Sequence, residues 1–162
     1  MTSASIPVAS RAADSASLLL KLYELRTEER LRKARAWFAF DFHPASAKEI
    51  LSTWLGPGHE SAPYRMATTY WEMATSFVTS GAIDAAMFND ANTEHFIFYV
   101  KLRPYLDEVR AAVGDRAYLK NLEQVVTSAT NADARMEMFD KYMQRQAALA
   151  AEGRQGGALG EA

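Results

Sequence analysis

The sequence predicts an all-α fold, a single-domain bundle of about six helices with a kinked central helix. Two observations carry this: apolar residues recur at three-to-four spacing in one segment after another, and no stretch alternates apolar and polar residues long enough to form a strand. A third sets the size. At 162 residues the chain fits one domain with a substantial buried core.

The elements follow in order. Asp14 or Ser15 is placed to cap a first helix with Leu18, Leu19, Leu22 and Leu25 on one face. Thr27 is placed to cap a second segment, with Glu28 and Glu29 in the first turn where negative charge suits the helix dipole, and with Leu31, Ala34, Trp37, Phe38 and Ala39 apolar. Pro44 ends that run. Ser46 and Glu49 then form a capping box for a short helix carrying Ile50, Leu51, Trp54 and Leu55. A Gly-Pro loop over 56–63 leads to the best-specified helix, in which Ala67, Tyr70, Trp71, Ala74, Phe77 and Val78 face inward until Gly81 ends it.

Asp84 caps a short turn through Phe88. From about Asn92 to Val113 the reading is one long helix, apolar around most of its circumference at Phe96–Val100 and kinked at Pro104, with Gly114 as its terminator. Two more amphipathic helices follow, one through Tyr118–Val126 and one from Asn131 to Ala147. The predicted domain organisation is a disordered N-terminus over 1–13, a helical bundle over 14–151 and a disordered Gly-rich tail over 152–162.

Composition narrows the function classes. A net charge of −2 lacks the broad positive field of a nucleic-acid binder. Arg26, Arg30 and Lys33 do share one helix face, but Glu24, Glu28 and Glu29 are interleaved and pairing on a solvent face explains them. The absence of cysteine excludes disulfides, thiolate catalysis and cysteine-ligated metals. No run of about eighteen apolar residues offers a membrane span, and no secretory signal is read at Met1–Ser17, so a cytoplasmic protein is expected.

Candidate site residues are few. His43, His59 and His95 stand in no metal-ligating spacing, so no metal site is expected; His43 and His59 read as surface groups. His95 heads the row His95, Phe98, Leu102, Tyr105 or Leu106, and Val109, and reads first as a core histidine held by one hydrogen bond. Its functional alternative is an acid–base or ligand-contacting group near Pro104. Glu72, flanked by Trp71 and Met73, is the carboxylate placed to titrate abnormally if partly buried, against a plain solvated face or a salt bridge. No catalytic constellation of nucleophile, base and orienting group is legible, and neither a phosphate-cradling loop nor a GxSxG elbow is present, so no catalytic residue and no cofactor is assigned.

The segments Ala34-Arg35-Ala36-Trp37-Phe38, Tyr70-Trp71-Glu72-Met73-Ala74 with Phe77-Val78 and Gly81-Ala82-Ile83-Asp84, and Lys101-Leu102-Arg103-Pro104-Tyr105 together resemble DUF4760, an uncharacterised family of bacterial all-helical proteins. The resemblance spans roughly Ala34 to Arg110. It implies a helical fold and transfers no activity.

Two functions are consistent with these residues. The first is a non-enzymatic helical interaction module that buries Leu18, Leu22 and Leu25 against a protein partner or a second copy. The second is a small-ligand binding domain with an aromatic pocket near Trp71, Glu72, His95 and Tyr99. Whether the leucine helix packs within its own domain divides them.

Overall fold

The computed structural model describes residues 8–157. Every regular element among them is a helix, in the order α1 Val8–Thr27, α2 Glu29–Phe40, α3 Ala47–Leu55, α4 Ser61–Thr79, α5 Ala85–Ala91, α6 Glu94–Leu102, α7 Leu106–Val113, α8 Lys120–Thr127 and α9 Ala132–Gly157. The described residues thus hold nine helices where about six were expected. Much of the difference lies at the turn expected after Asp84, which is the helix α5, and at the helix expected over 92–113, which is two. Glu28 has extended ψ and its carboxylate accepts from Leu31 N, so Glu28 rather than Thr27 caps α2, and α1 and α2 are separate helices.

The predicted long helix over 92–113 is likewise divided. Arg103, Pro104 and Tyr105 form a turn between α6 and α7, so proline interrupts the helix outright instead of kinking it. Nor is that segment the hub. The hub is α4, which buries Tyr64, Ala67, Thr68, Tyr70, Trp71, Ala74, Thr75 and Val78 and packs against α2, α3, α5 and α8. Ala67 and Ala74 are fully buried, and their small side chains let neighbouring helices approach closely. α6 packs on α2, α8 and α9.

Both expected domain boundaries fall inside helices. α1 begins at Val8, six residues before Asp14, and α9 runs on to Gly157. The remainder of the two expected disordered ends, 1–7 and 158–162, lies outside the described residues.

Several terminators are as predicted. Ser46 Oγ accepts from Glu49 N at 3.2 Å, and Asp84 Oδ1 accepts from Met87 N at 2.8 Å. Gly81 and Gly114 stop α4 and α7 with φ of +78° and +71°, a left-handed conformation that glycine adopts without a Cβ penalty.

The core is rich in aromatic rings set among aliphatic side chains. Phe38 of α2 stacks on Phe98 of α6 at 4.0 Å, Trp54 of α3 stacks on Tyr118 at 4.4 Å, and the Tyr64 and Tyr118 hydroxyls bond at 2.8 Å. Charged pairs tie the periphery. Arg35 makes a two-point contact with Glu94 (Nε–Oε1 2.7 Å, Nη2–Oε2 2.5 Å) and donates to Arg26 O, Arg110 reaches Glu123 at 2.8 Å, and Arg103 pairs with Asp140. Among the described residues no helix is long and apolar enough to cross a membrane.

Candidate functional site

Trp71 and His95 are brought together, with ring centroids 5.6 Å apart, between Phe88 and Phe98. His95 is fully buried and its Nε2 lies 3.0 Å from Asn89 Oδ1. An amide oxygen only accepts, so Nε2 carries the proton and Nδ1 presents a lone pair. That lone pair has no hydrogen-bond partner, and neither does the Trp71 indole N–H. Burial, with the Arg135 guanidinium adding a smaller push, lowers the imidazole to about 3, so at neutral pH it is uncharged. The core-histidine reading, held by one hydrogen bond, describes this residue.

The other two predicted ligand residues point elsewhere. Glu72 accepts from Asn121 Nδ2 at 2.8 Å, from Asn121 N at 3.1 Å and from Leu122 N at 3.0 Å. The last two are backbone donors in the first turn of α8. The residue preceding α8, Leu119, offers no capping oxygen, and its side chain is buried at a φ of +54°. Glu72 therefore performs the N-cap role from another helix, with its negative charge at the positive end of the dipole. Tyr99 Oη lies 3.4 Å from Glu123 Oε1, and burial, followed by that carboxylate, raises the phenol. His95 stands in the first turn of α6, whereas Pro104 follows the end of that helix.

Sequence reasoning missed the most demanding polar group. Lys101 is buried in α6, and its Nζ donates to Phe38 O, Ala39 O and Phe42 O at 2.6–2.7 Å. An ammonium has three donors, and here each finds a carbonyl. Trp37 O is met by the amides of Asp41 and Phe42, and Phe40 O by His43 Nε2 at 2.9 Å, so the last turn of α2 is fully accounted for. Burial pulls the amine down to about 7, opposed by Asp41. The hint in the sequence was a lone lysine inside the apolar run from Phe96 to Leu102.

The leucine face divides. Leu22 is buried, Tyr70 Oη donates to its carbonyl at 2.8 Å, and Leu18 packs against the core, while Leu25 at the helix end is 48% exposed. Leu22 is therefore unavailable to a partner, because α1 packs within its own domain. The opposite face of α1 is different: Ala13, Ala16, Leu20, Tyr23 and Thr27, at spacings of three and four, are all exposed, with Leu20 at 67% and Tyr23 at 58%. Of the predicted basic stripe, Arg26 donates to Asn92 Oδ1 and Lys33 pairs with Glu29.

Among the described residues no cluster of three or more His, Asp or Glu is placed to hold a metal ion. A surface cleft of about 810 Å³ lies between α1 and the α4–α5 connection, lined by Arg11, Asp14, Ser15, Val78, Ile83 and Met87, away from Trp71 and His95.

These features define a helical domain whose buried polar groups mostly serve to end and join its helices. The chain belongs to the DUF4760 family, a domain of unknown function, whose profile matches residues 12–129 and so reaches from α1 through α8. Comparison with curated proteins and with solved structures finds no match in either.

Proposed function

We propose that this chain is a non-enzymatic helical module that works by protein–protein contact through the outward face of α1. The observation that supports it is that α1 is apolar twice over. Its inner row is already packed at Leu18 and Leu22, yet Leu20 and Tyr23 still stand in solvent on a face bearing no charge in the row from Ala13 to Thr27. The interior argues the same way. Glu72 is committed to α8, and the His95 lone pair is shut in by Trp71, Phe88 and Phe96.

The test is amide NMR of the labelled protein across a dilution series. Shift changes should cluster at Ala13, Ala16, Leu20 and Tyr23; changes clustering on another surface contradict the reading.

One observation favours a second reading, a small polar ligand in the interior. The Trp71 N–H and His95 Nδ1 form an unsatisfied donor and acceptor on neighbouring rings. A ligand bridging them raises the melting temperature of the wild type and not that of Trp71→Phe.

A further inference from the structure

The outward row of α1 is ordered by size as well as polarity. Ala13 and Ala16 occupy its first half, Leu20 and Tyr23 its second, at spacings of 3, 4 and 3 residues. That is the a/d seam of a two-helix pair. Laid parallel against an identical row, it sets alanine on alanine at one end and leucine and tyrosine on themselves at the other, so the layers differ in the helix separation they require. Laid antiparallel about a two-fold axis near residue 18, it sets Ala16 beside Leu20 and Ala13 beside Tyr23 of the second copy, and the reverse, so every layer holds one small and one large side chain.

We infer that the occupant of this face is a second copy of the chain, paired antiparallel through α1. This rests on the protein-contact reading above and names the partner. Charge permits it. The flanking Glu24 is already paired with Lys21 at 2.9 Å, and Arg26, whose guanidinium lies over the Tyr23 ring at 5.4 Å from its centroid, donates to Asn92, so each flanking charge already has a partner within its own copy. Area sets the strength. One pair of short helices covers less than the roughly 800 Å² per partner of a standard interface, so the dimer is weak and its population depends on concentration, with a Kd in about the micromolar range or above.

The chain has no cysteine, which makes cross-linking unambiguous. Copies carrying Ala13→Cys are mixed with copies carrying Tyr23→Cys, oxidised mildly and digested with trypsin, which separates the two positions into peptides 12–21 and 22–26. The expected product is the mixed disulfide between those peptides, in several-fold excess over either like-with-like disulfide, with its yield falling on dilution. Like-with-like disulfides in excess overturn antiparallel pairing but leave α1 as the contact face. A wild-type protein that stays monomeric by light scattering at every concentration overturns the second copy as occupant, leaving α1 to be tested against other partners. A wild-type dimer that Leu20→Lys leaves unchanged overturns both this inference and the reading beneath it.

Discussion

The interior around α4 and α6 and the exterior of α1 treat their side chains in opposite ways. Inside, Lys101 meets three carbonyls and Glu72 meets three donors on α8, so residues that look chemically potent are used up in joining helices. Outside, Leu20 and Tyr23 touch solvent although the helix carrying them is already anchored by Leu22. The lesson is that commitment, rather than residue type, separates structural from functional groups here. A carboxylate beside a tryptophan is a helix cap, and Leu20, two residues from the anchor and on the other side of the helix, is the group left free.

That contrast is most sharply broken at Lys101. Lys101→Met keeps the apolar stem but leaves three carbonyls at the end of α2 without their donor, and should cost about 3 kcal/mol or more in urea unfolding. A loss under about 1 kcal/mol would show that the lysine is not the cap of α2.

The next effect is a pH dependence. His95 stays neutral in the fold down to about pH 3, whereas in the unfolded chain it takes up a proton below about 6.5. The unfolded state therefore binds more protons between those values, and stability falls as pH falls. Between pH 6 and 4.5 this amounts to about 2 kcal/mol at roughly 1.4 kcal/mol per pH unit. His95→Leu, compared with the wild type by denaturant unfolding across that window, should remove this share of the slope; equal slopes would mean that the imidazole is not held neutral.

Glu72→Ala should cost about 1–2 kcal/mol, the worth of an N-cap, with faster hydrogen exchange confined to the first turn of α8. Exchange that speeds up around Trp71 and His95 instead would tie Glu72 to the aromatic shell. The smallest effect on stability belongs to Leu20→Lys, within about 0.5 kcal/mol of wild type because the side chain is exposed.

The sequence made the helices visible wherever periodicity and caps agreed. The Ser46 and Asp84 caps, the glycine stops at 81 and 114, and the inward row of α4 were all legible. It misplaced the α1–α2 break because Thr27 and Glu28 are adjacent capping residues and only backbone geometry chooses between them. It overextended the helix at Pro104 because a kink and a full break share one local signature.

At the candidate site, the enclosure of His95 and its closeness to Trp71 were foreseeable from periodicity on α6 and α4. The partners of Glu72 and Lys101 were not, since they lie on α8 and at the end of α2 and just beyond it, 49 to 63 positions away in sequence. The outer row of α1 was present in the sequence too, masked by the stronger leucine repeat, which faces inward at Leu18 and Leu22 but not at Leu25.

Sedimentation velocity of the wild type and of Leu20→Lys over a range of concentrations tests the central claim most directly. The account predicts that the wild type shifts toward a dimer as concentration rises while Leu20→Lys stays monomeric with an unchanged fold by circular dichroism. Identical sedimentation of the two proteins at every concentration would contradict it.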